Sequence, residues 1–502
     1  MITNPDALPQ LIGEFRPVDE WQMHINQLFY GLRGSRLRDY YQTFAAADYR
    51  LAHALAADYF ARVLERERKV KAEAKVKGGA QSEPQPQPRP QPVLTVMEWG
   101  CGNGNLAACF LSHLKRMDTG GAIYPRLRYV LVDDREAALE SARDHPDLAE
   151  HLPRVETLCA TVTDLASVKD ASVDRILCNE LWNDLPTKLM LRKEGEVEEE
   201  YLRPNLGPST LLRACESKPA VSFAEPHAAI SDWSSFVRAF DAKDLRALVG
   251  FPPFLEDIIW EKDYRRADWK AVPYRKTITD FLKQIDERVL VPVNLGACAT
   301  VKEARRILAQ DAVGFSSFDA GTVELKVLND PEKPLFGQFG GQYSFMVNFA
   351  LVEAVAKHLG VQTVAIEPQK EMVGRSLGTN VVSLMDLLAA HPSATLLNPL
   401  EQDRLILNTI QSLNTVYRSP YQRPIEFPFG CDVPPGELEA LQGLLNGLER
   451  DGVPDTIAYL TEDELFGSIR ELEALGYDRH SIQAALVTPP QPVDYYHLFF
   501  RP

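Results

Sequence analysis

The sequence lacks a basic surplus. Lys and Arg total 54 against 70 Asp and Glu, a formal net charge of −16 over 502 residues. A general binder of nucleic acid or of an anionic membrane surface needs the opposite balance, so neither partner is expected. Cysteine is scarce and odd in number: seven residues, at Cys101, Cys109, Cys159, Cys178, Cys215, Cys298 and Cys431, with no CxxC. That excludes a disulfide framework and predicts reduced, mostly buried thiols in a cytoplasmic protein. The ten histidines form neither HExxH nor a paired Cys/His spacing, so no metal is expected. No run of 18 apolar residues is present, and the first 17 residues lack a signal peptide's basic start and apolar core. Neither a membrane span nor secretion is expected.

What is present is ordinary globular composition, 45% hydrophobic and 25% charged, at a length suited to several structural units. Residues 1–77 read as a helical region, with Trp21, Ile25, Leu28 and Phe29 at helical spacing and an Ala/Leu-rich stretch over 51–64. The segment 78–92 contains GGAQSEPQPQPRPQP, whose alternating prolines forbid helix and central strand and predict an exposed, stiff linker. From 93 to about 370 strands alternate with helices, which predicts a doubly wound α/β sheet. The expected strands are 93–99, 127–132, 155–158, 173–178 and 289–293, with helices at 106–117 and 135–143. The interval between the last two strands is too long for a simple crossover. It predicts an inserted subdomain at about 187–285, holding Trp233, Trp260 and Trp269. Residues 371–502 read as a helical, polar extension, with a turn at Val433-Pro434-Pro435-Gly436 and a closing aromatic cluster at 495–500.

The sharpest local signal is Glu98-Trp99-Gly100-Cys101-Gly102-Asn103-Gly104-Asn105, between an expected strand and helix. Glycines at 100, 102 and 104 let the backbone turn tightly and come close to a ligand. A dinucleotide site would want its third glycine at 105, where this chain has Asn105. The GxGxG spacing fits a loop around the amino-acid part of S-adenosyl-L-methionine, with Glu98 holding the ammonium directly or through water. The second strand ends in Asp133 and Asp134. A carboxylate at that edge accepts from ribose hydroxyls, and Asp133 is the choice, Asp134 being a candidate helix cap. Asp164 is a candidate acceptor for the adenine amino group, or a turn residue. Cys178-Asn179-Glu180-Leu181-Trp182-Asn183-Asp184-Leu185-Pro186 follows the fourth strand. Asn179 is placed with the cofactor contacts. Glu180 and Asp184 share a face if the stretch is helical. As a pair they could orient a guanidinium through bidentate hydrogen bonds, or stand as solvated charges at a helix start.

These blocks resemble those of the MidA family of class I S-adenosyl-L-methionine-dependent methyltransferases, bacterial and mitochondrial proteins related to the complex I assembly factor that methylates an arginine. EWGCGNGNLAACFL is similar to the family's glycine loop, VDDREAALESAR to its acidic strand end, and CNELWNDLPTKLM to its Asn-Glu-aromatic-x-Asp-Leu-Pro block. GQYSFMVNF at 341–349 is similar to its DLTAHVDF segment. The resemblance implies a Rossmann-like sheet, S-adenosyl-L-methionine as cofactor and a protein or peptide substrate, plausibly methylated on arginine. It gives Glu98, Gly100, Gly102, Gly104, Asp133, Asp164 and Asn179 to the cofactor, and Glu180 and Asp184 to catalysis. The chain departs from the family in lacking GDF(Y/F)T, in carrying Tyr343-Ser344-Phe345 for DLT and Asn348-Phe349 for Asp-Phe, and in Asn294-Leu295-Gly296 after the expected fifth strand. Its tail from about 371 reads as its own. Other readings are a non-catalytic cofactor-binding assembly factor and a small-molecule methyltransferase. The insert would be a lid, with Trp260 and Trp269 as substrate contacts or as plain core.

Overall fold

A run with apolar side chains on both faces suits a strand covered on both sides, and all six residues of Leu94–Trp99 are buried. In the computed structural model this run is β1, an interior strand of a seven-strand path. The structure describes residues 10–33, 48–77, 92–206, 226–249, 251, 254–270, 272–339, 341–418, 420–421, 458–487, 489 and 491–502. The proline-rich segment up to residue 91, Cys215, Cys431 and the expected turn at 433–436 lie outside them. Two compact units emerge. One comprises Gln42–Glu180, Thr300–Asp319 and Val361–Pro502; the other Met1–Tyr41, Leu181–Ala299 and Ala320–Gly360.

The first unit is built on the parallel sheet. After β1 come β2 (Leu127–Asp133), β3 (Val155–Cys159), β4 (Arg175–Asn179), β5 (Gly314–Thr322), β6 (Val364–Pro368) and β7 (Asp494–Phe500). Their spatial order is β3-β2-β1-β4-β5-β7-β6. β1 pairs in parallel with β2 and β4, β2 with β3, and β4 with β5; β7 runs antiparallel to β6. A dinucleotide-binding sheet runs 3-2-1-4-5-6. Here the last strand is slotted, reversed, between the fifth and sixth, the class I methyltransferase variant of that sheet. Helix α1 (Tyr49–Lys77) packs on α2 (Asn105–Met117), and Leu55, Tyr59, Phe110 and Leu114 close one face of the sheet over Val96 and Tyr129. The Tyr59 hydroxyl donates to Asp174 at 2.8 Å, and Arg66 pairs with the same carboxylate.

The second unit is an antiparallel sheet of six strands among the described residues, centred on Glu196–Leu206 and Lys188–Lys193. Helix Val18–Arg33 lies against it, burying Trp21, Ile25, Leu28 and Phe29 with Leu189, Leu202 and Phe240. The Trp21 indole donates to the Leu202 carbonyl at 2.8 Å.

Three expectations are corrected here. The run at 289–293 is not the fifth parallel strand: Val291–Val293 pairs antiparallel with Lys188–Lys193 at the edge of the other sheet. Pro292 has no N–H to give a central ladder, which suits an edge. The fifth strand is Gly314–Thr322, hidden by the buried polar residues Ser316, Ser317 and Asp319. The tail is not merely a helical extension, since it supplies β7. The helical region 1–77 is also divided, its first helix belonging to the antiparallel unit and α1 to the parallel-sheet unit. That antiparallel unit is correspondingly wider than the insert expected at 187–285. Among the described residues no helix is long and apolar enough to cross a membrane.

Candidate active site

The parallel register lines up the ends of β1, β2 and β4. Trp99 sits opposite Val132 on one side and Cys178 on the other, so Gly100, Asp133 and Asn179 follow in one row at the carboxyl edge. This is where open α/β sheets bind ligands. The loop leaving β1 turns through three left-handed glycines, with φ of 72°, 52° and 80° at Gly100, Gly102 and Gly104. The Gly100 N–H donates to the Val132 carbonyl at 2.8 Å and that of Gly104 to Cys101 at 2.9 Å. The glycines differ in what confines them. A Cβ at Gly104 would stand 2.6 Å from the Ala142 carbonyl oxygen, whereas one at Gly102 would meet nothing within 4 Å. Gly104 is therefore imposed by packing and Gly102 leaves open space on the loop.

Beneath the loop Glu98 is buried and its Oε2 accepts the Tyr129 hydroxyl at 2.6 Å. Burial pushes its carboxyl up to about 8, with the Tyr129 hydrogen bond opposing. Tyr129 was not anticipated, although its place two residues from the register partner of Glu98 sets both on one face of neighbouring strands. Asp133 ends β2 almost fully buried, and burial raises its pKa. Its Oδ1 accepts the Arg135 N–H at 3.1 Å and Nε at 3.3 Å. The helix cap expected of Asp134 does not form, since the cap position of Glu136–Arg143 is Arg135 with no side-chain cap bond; Asp133 instead holds the turn into that helix. Asp164 is exposed in a turn after β3, its N–H bonded to the Thr161 carbonyl at 3.1 Å.

Asn179 and Glu180 leave β4. Asn179 Nδ2 lies 3.4 Å from Glu180 Oε1, while its Oδ1 is buried without a hydrogen-bond partner. Glu180 takes a left-handed φ of 47°, uncommon for a side chain with a Cβ, and its N–H donates to the Phe318 carbonyl on β5 at 2.7 Å. The Glu180 carboxylate, then burial, Asp319 and Asp494, hold the phenol of Tyr495, at the start of β7, well above its ordinary pKa. Only the aromatic cluster of the tail pointed toward that residue in the sequence.

Asp184 belongs to the antiparallel unit and is fully engaged there. It accepts from the Tyr30 hydroxyl, from Gln342 Nε2 at 2.5 Å and from Ser344 Oγ at 3.0 Å. The stretch after Glu180 is a turn, closed by Asp184 N–H to Leu181 and Leu185 N–H to Trp182, so the shared helical face expected of Glu180 and Asp184 does not form. Ser344 comes from the Tyr343-Ser344-Phe345 triplet, and it holds Asp184 in place. Trp260 packs against Trp21 and Tyr343, and Trp269 lies under the Arg275 guanidinium. Both have protein partners of their own.

An open glycine loop, a buried carboxylate at the end of β2 and an orphaned amide oxygen at the end of β4 suit a nucleoside with a charged amino-acid arm. Residues 81–315 match a family described as "Putative S-adenosyl-L-methionine-dependent methyltransferase". No curated protein matches the sequence. Among solved structures, a Burkholderia thailandensis protein bound to S-adenosyl-homocysteine is 12% identical, with 98% of this chain and 88% of that one covered and a TM-score of 0.43. A loganic acid methyltransferase with the same ligand is 9% identical, with 88% and 94% covered and a TM-score of 0.27. Residues 81–315, which hold the glycine loop and the ends of β1, β2 and β4, thus read as an S-adenosyl-L-methionine-dependent methyltransferase segment.

Proposed function

We propose that the acceptor is a protein side-chain nitrogen, with arginine as the substrate residue, as the resemblance to the MidA family implies. The observation that carries this reading is Glu180: a carboxylate held in a strained backbone at the carboxyl edge, one residue beyond the row formed by Gly100, Asp133 and Asn179. A guanidinium matches a carboxylate through paired N–H donors. Gly100, Gly102 and Gly104 would wrap the cofactor's amino-acid arm above Glu98. Asp133 would take the ribose, Asp164 the adenine amino group and Asn179 a neighbouring polar edge. When bound, S-adenosyl-L-methionine supplies a methyl carbon on a sulfonium, and the electrons of the broken C–S bond leave with sulfur. Glu180 orients the attacking nitrogen and takes the proton that nitrogen loses. Alignment of this kind is most of what methyl transfer asks of a protein. Asp184, saturated by Tyr30, Gln342 and Ser344, supports the turn after Glu180 rather than the reaction itself.

Titration calorimetry with S-adenosyl-L-methionine, S-adenosyl-homocysteine and NAD, followed by labelled methyl transfer to arginine-containing and matched lysine-containing peptides, tests this. Micromolar binding of the two sulfur ligands but not NAD, with label on the arginine peptides alone, is expected. Label on small amines but no peptide favours a small-molecule enzyme, and binding without any transfer favours a non-catalytic assembly factor. Glu180→Gln is expected to keep S-adenosyl-homocysteine affinity within about threefold while turnover falls ~100-fold, the size of a lost general base. Full turnover in that variant removes Glu180 from the mechanism.

A further inference from the structure

Buried carboxylates in this chain come with their own counter-charge. Asp48 meets Arg50, Asp133 Arg135, Asp174 Arg66, Glu199 Lys188, Glu200 Lys262 and Glu303 Arg306, each within 4.0 Å. Asp118 is satisfied instead by the N–H groups of Ala122, Ile123 and Tyr124 at 2.7–2.9 Å. Glu98 has neither. Its Oε2 takes the Tyr129 hydroxyl at 2.6 Å, and among the described residues no cation and no backbone N–H reaches the carboxyl. A buried carboxylate without a counter-charge is costly, so burial keeps this one protonated up to about 8. Tyr129 is held as a stiff peg: it is fully buried, with the Phe110 ring of α2 at 5.6 Å. Burial and Glu98 raise its phenol well above the ordinary range, so it stays a donor. The other titratable group facing Glu98 is Cys101 of the glycine loop, whose thiol burial also keeps protonated; Asp133 and Arg135 face that thiol in turn. Neither α2 nor β4 brings a charge to Glu98. The chain thus sets a carboxyl at the foot of the loop without the cation it needs to ionise.

We infer that Glu98 and Tyr129 form a proton-for-ammonium exchange site: Tyr129 positions the carboxyl, which gives up its proton to solvent when the cationic amino group of the cofactor comes to rest beside it. This rests on the cofactor contacts proposed above. In the free protein Glu98 is a neutral floor to the loop, and no charge is buried. With the ammonium beside it, the ionised form gains the positive neighbour that the chain withholds. The Tyr129 hydrogen bond favours the same ionised form and holds Oε2 in place. The exchange also makes Glu98 a determinant of specificity, because a nucleoside thioether that lacks the amino-acid arm offers no cation and draws off no proton.

Titration calorimetry of the full-length chain with S-adenosyl-homocysteine, in buffers of different ionisation enthalpy, counts the protons released. Near pH ~6.5 about one proton is expected to leave per ligand bound, and affinity to rise about tenfold per pH unit from ~6 to ~7.5. Glu98→Gln is expected to abolish both effects, and 5′-methylthioadenosine to bind the wild-type protein without release. Tyr129→Phe is expected to keep the release but to move the pH at which affinity levels off upward by about one unit, since the carboxylate has lost a donor that favours its charge. A packing role alone would lower affinity equally at every pH. Heats that do not depend on the buffer, or an unchanged pH slope in Glu98→Gln, overturn the exchange while S-adenosyl-homocysteine remains the ligand. An unmoved pH profile in Tyr129→Phe overturns the positioning role. No binding of S-adenosyl-homocysteine by the wild-type protein removes the proposed cofactor contacts and the inference with them. Should a variant fail to fold, the infrared difference spectrum of the wild-type protein decides: a protonated-carboxyl band lost on adding S-adenosyl-homocysteine upholds the exchange, and an unchanged band overturns it.

Discussion

At the scale of single residues the glycine loop separates two causes that look alike in sequence. Gly104 is left-handed and jammed against the Ala142 carbonyl; Gly102 is left-handed and free of neighbours. Gly102→Ala is therefore expected to cost only the left-handed strain, about 1–2 kcal/mol of stability. Its S-adenosyl-homocysteine affinity should fall at least tenfold, because the new Cβ occupies the loop's open side. Gly104→Ala should damage the fold as well as binding. Melting curves beside calorimetric titrations check both, and a Gly102→Ala protein that binds normally would place the ligand elsewhere. Asp133→Ala is expected to weaken S-adenosyl-homocysteine by about 1.5–3 kcal/mol, the range for a hydrogen bond to a charged group. Unaltered affinity would reduce Asp133 to the turn it makes with Arg135.

At the scale of elements, what the sequence made legible depended on how a strand balances its buried polar groups. β1, β2 and β4 are apolar runs ending in the loop, Asp133 and Asn179, so each strand and the edge where it ends were readable together. β5 was not, because Ser316 answers the buried Arg175 guanidinium at 2.8 Å and His497 at 2.8 Å. These bonds make its polar residues affordable in a core but erase its apolar pattern. The run VLVPV looked more like a strand of the parallel sheet and is one of another. β7 was seen only as an aromatic cluster, since its place depends on partners more than 100 residues away in the chain. Glu98, Asp133 and the glycines were visible from local spacing, whereas Tyr129 and Tyr495 follow from register, which a single sequence does not display. Removal of residues 494–502 tests the element directly. It strips β5 and β6 of a shared neighbour and takes Leu498 and Phe500, both fully buried, out of the core. We expect loss of the cooperative melting transition of the parallel-sheet unit and of S-adenosyl-homocysteine binding. A dispensable appendage would leave both intact.

For the whole molecule the buried titratable groups predict how stability depends on pH, and the two limbs have opposite signs. Burial lowers His24 to about 4 and, with the adjacent His113 and Arg116, lowers His53 to about 2; His113 falls to about 4. His53 and His113 are stacked 3.9 Å apart and nearly parallel, so neither ring easily accepts a charge. Below an unfolded value of 6.5 the unfolded chain takes up protons that these native imidazoles refuse, and stability is lost as pH falls. Glu98 works the other way. Its native carboxyl keeps a proton up to about 8 while the unfolded one releases it near 4.5, so stability is lost as pH rises across that interval. Between 4.5 and 6.5 these three imidazoles, joined by His151 and His497, which burial also lowers, oppose the carboxyl, and stability climbs with pH. From 6.5 to 8 the carboxyl is unopposed by them, and stability declines by on the order of 1 kcal/mol per pH unit. The acid limb is shared by both units, since His24 lies in the antiparallel one and His53 and His113 in the other. The alkaline limb of this set belongs to the parallel-sheet unit alone. Thermal melts from pH 4.5 to 8 should therefore show a maximum near pH 6.5, with Glu98→Gln flattening only the alkaline side. An equally steep decline above pH 6.5 in that variant would assign the limb to groups other than the carboxyl under the glycine loop.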